Sequence, residues 1–406
     1  MVPNGWEKTL LKNLLCTSIK NGYSPNAVEQ NTGYVVLGLG ALTDHTLDTA
    51  NIKNVEATEQ VLKTQLCHGD FLISRSNTPD KVGRSVMFRG EISNCSYPDL
   101  MMKFRADESK VDPSYLEIYL QSPKARQYFK NCAAGSSSSM VKINKSVVEK
   151  TPTLLPPLLE QRKIAQILST WDRAIATTEK LIETSKQQKK ALMQQLLTGK
   201  RRLVSPETGK VFEGAWKTIK IKDVFKAKTT RAKEGNYTTY SVTKNGIVSQ
   251  EDYFNKSVAS QDTSNYKVIE FGDFVMSGLN FWMGSVDIYL NKTKGIISPA
   301  YKTFSVSDDV DLKFMYHFVR SERFNQILVD SSIVGASVVR RNFNSDVFFN
   351  WGIGLPSMRE QRKIASVLTA ADKEVEVLEA KLAHFKQEKK ALMQQLLTGK
   401  RRVTLE

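Results

Sequence analysis

Cysteine is scarce in this 406-residue chain and lies entirely towards one end. Cys16, Cys67, Cys95 and Cys132 form no CxxC pair. That argues against a disulfide framework or a zinc site and fits a reducing, cytoplasmic setting. No run of about 18 apolar residues occurs, so no membrane-spanning helix is expected. The opening MVPNGWEKTLLKNLL lacks the basic-then-apolar layout of a secretory signal.

Catalytic signatures are missing too. Gly199-Lys200 is followed by arginine and has no glycine five residues earlier, so it is not a phosphate-binding loop. There is no Asn/Asp-Pro-Pro-aromatic run of an amino-methyltransferase. His45, His68, His317 and His384 stand alone, without paired positions. Pro98-Asp99 with Glu108-Ser109-Lys110 matches the loose PD…ExK pattern of metal-dependent nucleases. A matching stretch, Ser298-Pro299-Ala300, has no aspartate, and the pattern reads as a surface loop.

What the chain does have is basic excess and a repeat. The net charge is +16, densest at Lys200-Arg201-Arg202 and its twin at Lys400, which points to a polyanionic partner. The string KKALMQQLLTGKRR occurs at Lys189–Arg202 and again at Lys389–Arg402, and EQRKIA occurs at Glu160 and Glu360. The chain is therefore two copies of one unit, an internal repeat with pseudo-two-fold character. The segments before each block have diverged.

The repeated segments, 154–203 and 355–406, predict long helices. Each starts after proline (Pro156-Pro157, Pro356) and ends at Gly199 or Gly399, a residue suited to a left-handed cap. About 38 uninterrupted residues would span roughly 57 Å. Apolar residues follow coiled-coil spacing at Ile164, Leu168, Trp171, Ile175 and Ile182 in the first copy. In the second they are Ile364, Leu368, Val375, Leu378, Leu382 and Phe385, and the stripe continues to Leu396. Thr178 and Ser185 weaken the first stripe. The expectation is an antiparallel pair formed by the two copies.

The segments 1–153 and 204–354 carry short β-type runs punctuated by Gly, Asn, Ser and Pro. They share faint marks. Trp6 parallels Trp216, Gly69-Asp70-Phe71 parallels Gly272-Asp273-Phe274, and Asn77 parallels Asn280. Asp112 and Asp311 each open an amphipathic helix; Gly135 and Gly335 lie in polar loops closing on Asn144 and Asn344. The fold class is α+β, with two globular α/β domains of one fold separated by two long helices. Ser205–Gly214 reads as a linker.

Reading of DNA needs polar side chains held on a scaffold within reach of base edges. In the first domain the candidates are Arg75, Asn77, Lys81, Arg84, Ser137, Lys142 and Asn144, with Gly83 letting backbone approach phosphate. In the second they are Asn280, Trp282, Arg340, Arg341, Asn342 and Asn344.

Taken together, LPPLLEQRKIAQIL at Leu155, LPSMREQRKIASVL at Leu355 and the loops GDFLISRSN, MSGLNFWMGS and ISPAYKTF resemble the specificity subunits of type I restriction–modification enzymes. The resemblance covers essentially the whole chain. It implies two target recognition domains, each reading half of a bipartite, asymmetric double-stranded DNA target, and a helix pair that sets their spacing. It implies two methyltransferase subunits, which use S-adenosylmethionine, and ATP- and Mg-dependent restriction subunits. The subunit itself would be non-catalytic and hold no cofactor or metal. The alternatives are a coiled-coil adaptor without DNA specificity and a stand-alone nuclease.

Overall fold

The computed structural model describes residues 2–137, 140–232, 237–254, 263–337 and 340–405. The chain divides into two compact units, residues 1–178 with 381–406, and residues 179–380. Each unit thus combines one variable segment with the last part of the other copy's helix.

In the first unit, β1 (Glu7–Leu10) pairs antiparallel with the last strand of the variable segment, Pro152–Leu155. Between them lies an antiparallel sheet of β2 (Lys20–Asn21), β3 (Phe71–Ser74), β4 (Ser85–Met87) and β5 (Met101–Phe104), ordered β2-β5-β3-β4. Phe71 is central, paired to Met87 on one side and Phe104 on the other, with its ring stacked on Phe104 at 5.3 Å. Two helices follow, α1 (Pro113–Gln121) and α2 (Pro123–Cys132). Asp112 and Ser122 cap them by accepting from the backbone N–H of Tyr115 and Ala125.

The second unit repeats the plan. β6 (Lys217–Lys220) pairs with Gly352–Leu355. β7 (Phe225–Ala227), β8 (Phe274–Met276), β9 (Val286–Ile288) and β10 (Lys302–Val306) form an antiparallel sheet ordered β7-β10-β8-β9. Phe274 takes the place of Phe71, and Asp311 and Ser321 cap α3 (Leu312–Val319) and α4 (Glu322–Asp330). The shared aspartates Asp70 and Asp273 accept from the N–H of Cys67 and Glu270, tightening the turn before the central strand. Burial raises both carboxyls. At Asp70 the hydrogen bonds from Arg105, Cys67 and Lys103 outweigh it; at Asp273, with Lys228 as its side-chain donor, burial prevails.

The repeats are helices of equal length, α5 (Leu158–Leu196) and α6 (Met358–Leu396). Gly199 and Gly399 adopt φ of 71° and 67°, and Arg201 and Arg401 donate their N–H back to Gln195 and Gln395. In the first unit Trp171 meets Phe385 edge-on at 5.6 Å, Asp172 pairs with Lys389, and Glu160 pairs with Arg402, so the two helices run antiparallel there. In the second unit Lys189–Asp372 and Arg202–Glu360 give the same antiparallel register. Ile164, Leu168, Ile364 and Leu368 are fully buried and belong to the domain cores rather than to a narrow helix seam. Ile182 is buried, whereas Trp171, Ile175, Val375, Leu378, Leu382 and Phe385 are half-buried, as two helices without further cover dictate.

One buried group is peculiar to the second unit. His317 on α3 stands where α1 has Ile118; it is 1% exposed, with Nε2 3.0 Å from Thr369 Oγ1 and Nδ1 3.7 Å from Asp372. Burial pushes its pKa down to about 4, against the opposite pull of Asp372. An unfolded imidazole titrates near 6.5, so between these values the unfolded chain binds more protons and stability rises with pH. Acidification from about pH 7 to about pH 5 is therefore expected to cost this unit about 2 kcal/mol, an effect absent in His317→Ile. Equal pH slopes for the two proteins in denaturant titrations would refute the assignment.

Candidate DNA-reading surface

Two sequence-distant stretches converge in each unit. In the first, the hairpin Ala134–Ser137/Met140–Lys142 adds to the short strand Ser76–Asn77, with Val141 opposite Asn77 and Lys142 opposite Ser76. In the second, the hairpin Ser332–Ser337/Arg340–Phe343 lies against the 3-10 turn Phe281–Met283. Phe343 sits edge-on to Phe281 at 5.3 Å, and the Arg341 guanidinium lies 4.3 Å from the Trp282 ring centre. The stretches around Gly135 and Gly335, expected as loops, are hairpin strands. Each carries a register irregularity near its tip, where the Gly and Ser residues cluster.

The expected reading residues divide by what their side chains already hold. Lys142, Asn280 and Asn342 are exposed, as is Lys81 in the turn beyond Asn77. Arg75 is half-buried and donates to the Asp99 carbonyl at 3.3 Å. Asn77 is 8% exposed, its Oδ1 accepting from Thr78 N–H. Arg84 forms a two-pronged pair with Asp44, at 2.8 and 2.9 Å. Asn144 and Asn344 cap the helices Lys145–Glu149 and Ser345–Asn350 by accepting from Val147 and Val347. The side chains of Ser137 and Arg340 lie outside the described residues. Gly83 is buried with φ of 72°, and a Cβ there would stand 2.6 Å from Phe129, so its small size serves packing on α2.

Apolar side chains are exposed beside these hairpins. Met140 is 43% accessible in the first unit, and Leu279, Ile333 and Val334 exceed 50% in the second. Burial, then Lys302 and Arg231, hold Lys267 below the ordinary lysine range, and its Nζ donates to the Tyr301 carbonyl. Lys302 itself lies 5.3 Å over the Phe343 ring. Such a mixture of cationic and apolar groups on and beside the hairpin suits phosphate and base-edge contact together. Asp99 is bound by Ser24, and among the described residues no group of three or more acidic, His or Cys side chains could hold a metal.

The residues that sequence reasoning missed lie inside the identical blocks. Arg402 grips Glu160 with both prongs and donates to Asn4 O at 2.9 Å; Arg202 grips Glu360 and donates to Gly214 O at 2.9 Å. Trp6 Nε1 adds a bond to Glu160 at 3.1 Å. Gln161 Oε1 accepts from Asp112 N–H at 2.8 Å while its Nε2 donates to Pro156 O; Gln361 does the same with Asp311 and Pro356. The only signal in the sequence was the identity itself. Lys389, Met393, Leu396 and Leu397 thus turn inward in the first unit, Arg402 holds Glu160 from an exposed position, and Lys390, Ala391, Gln394 and Gln395 face outward.

The family model of the type I restriction modification DNA specificity domain matches twice, at residues 3–187 and 213–387. The putative type I restriction enzyme MjaX specificity subunit of Methanocaldococcus jannaschii is 26% identical over 99% of this chain and 95% of its own length. The EcoKI specificity subunit of Escherichia coli is 27% identical over 45% of this chain and 40% of its length. Among solved structures, the S subunit of the M. genitalium type I system superposes with a TM-score of 0.57 at 14% identity, covering 99% of this chain and 97% of that one. With the family model matched on both halves and the same fold in a solved S subunit, the chain belongs to the type I restriction–modification specificity family, as its non-catalytic DNA specificity subunit with two target recognition domains.

Proposed function

We propose that residues 1–153 and 204–354 are the two target recognition domains, and that each reads one half of a bipartite, asymmetric sequence in double-stranded DNA. Residues 154–203 and 355–406 are the spacer helices. The carrying observation is the convergence, in both units, of a projecting hairpin with a second loop, on one scaffold but with different side chains. Equivalent positions with different residues read different bases. The exposed residues of the identical helix ends, presented twice, suit two copies of one partner, and that partner is a methyltransferase subunit using S-adenosylmethionine. ATP- and Mg-dependent restriction subunits complete the assembly, which works on DNA in the cytoplasm. Among the described residues no helix is long and apolar enough to cross a membrane.

The test is sequencing of methylated bases in cells carrying this chain with its methyltransferase. Exchanging residues 204–354 for those of a relative is expected to replace one half of the target and leave the other. If both halves change together, the modular reading fails.

A further inference from the structure

The second recognition hairpin carries a feature that the first lacks. Counting back from the capping asparagines, Met140-Val141-Lys142 of the first hairpin correspond to Arg340-Arg341-Asn342 of the second. Arg341 and Phe343 lie on one face of their strand. Phe343 locks that face to Phe281, and Arg341 lies over Trp282. Arg341 Nη1 donates to Ser332 Oγ at 3.1 Å on the neighbouring strand. Both Arg341 Nε and Trp282 Nε1 are buried without a hydrogen-bond partner. A native fold seldom leaves two adjacent donors unpaired, so the stack is held at a cost that local stability does not repay.

Resting on the reading above, we infer that Arg341 is a base-reading residue of the second domain, its Nη end recognising a guanine in the major groove, and that Trp282 is its positioning residue. An arginine fork matches the two acceptors on the guanine edge, N7 and O6. A free arginine must give up rotamer freedom to do so; one clamped by an indole below and a serine at its side has already given it up. Exposed Val334, opposite Arg341 on the ladder, and exposed Leu279 lie close to the same turn and hairpin, where they shield the contact from water. The first hairpin, with Met140 and Val141 at these positions, has no such fork, so the two half-sites differ in this contact.

The test is methylated-base sequencing of the complex with its methyltransferase subunits, comparing the unmodified chain with Arg341→Gln, Arg341→Lys, Trp282→Phe and Trp282→Ala. The expected target contains a guanine in one half-site that becomes degenerate in Arg341→Gln and in Arg341→Lys. Discrimination there falls about ten- to hundredfold, and the other half-site is unchanged. Trp282→Ala relaxes the same position, and Trp282→Phe, which keeps a ring under the guanidinium, restores most of it. A uniform loss of methylation with the target sequence intact, or full specificity in Arg341→Lys, would show a phosphate contact and overturn the proposal. Relaxation at a non-guanine position would overturn it equally. Random methylation by the unmodified chain would instead bring down the two-domain reading itself.

Discussion

Leu396→Ala with Leu397→Ala is expected to unfold the first unit and spare the second, although both residues belong to the second copy of the repeat. They are 3% and 4% exposed and pack in one core with Phe71, Tyr115, Ile164 and Leu168. Each truncation of a buried leucine costs about 2–5 kcal/mol, so the pair removes about 4–10 of the 5–15 kcal/mol typical of a domain. The matched substitutions Leu196→Ala and Leu197→Ala are expected to do the reverse, since those residues sit in the core with Phe225, Phe274 and Ile364. Hydrogen exchange resolves the two cases. The central strand Phe71–Ser74 loses protection in the first variant and Phe274–Met276 in the second. Loss of protection in the opposite unit would sink the crossed arrangement.

Gln161→Leu is expected to lower the stability of the first unit by about 2–6 kcal/mol, and Gln361→Leu that of the second. Gln161 is fully buried and Gln361 nearly so, and each serves a backbone N–H and a backbone carbonyl at once. Leucine fills the space but leaves both groups without a partner, at about 1–3 kcal/mol each. Glutamate keeps the acceptor for Asp112 or Asp311 and loses the donor, so it should be no cure. Denaturant midpoints measure the effect, and a Gln161→Leu protein within about 0.5 kcal/mol of the parent would show that water replaces the amide.

Features with a local cause were readable from sequence. Proline before Leu158 and Met358, glycine at Gly199 and Gly399, and an uninterrupted apolar stripe set both long helices within a few residues. Asp112 and Asp311 announced their helices because a capping aspartate acts on an N–H three residues away. That same short reach leaves candidate reading residues ambiguous in sequence. An asparagine that caps a helix, as Asn144 and Asn344 do, looks in sequence like one presented to a base. The partnerships that decide the rest join distant positions: Arg84 with Asp44, Arg341 with Trp282, Arg402 with Glu160. No periodicity reports them. For the same reason the inward and outward residues of the repeated string could not be told apart, because identity tells that a residue is constrained but not by what.

The crossing of helix ends also bears on how the chain is made. At roughly 5–20 residues per second, the ribosome needs about ten to forty seconds to travel between the two repeats. Over that interval the first recognition domain has left the exit tunnel with the groove beside Ile164 and Leu168 unfilled, because Met393, Leu396 and Leu397 do not yet exist. The identical residues Met193, Leu196 and Leu197 are already present, but they lie further along the same rigid helix and cannot turn back on it. Those of a neighbouring nascent chain on the same message can. Newly made chains are therefore exposed to exchange of helix ends between neighbours, and the wait for the second copy's helix end, rather than the folding of either domain, sets how long that exposure lasts.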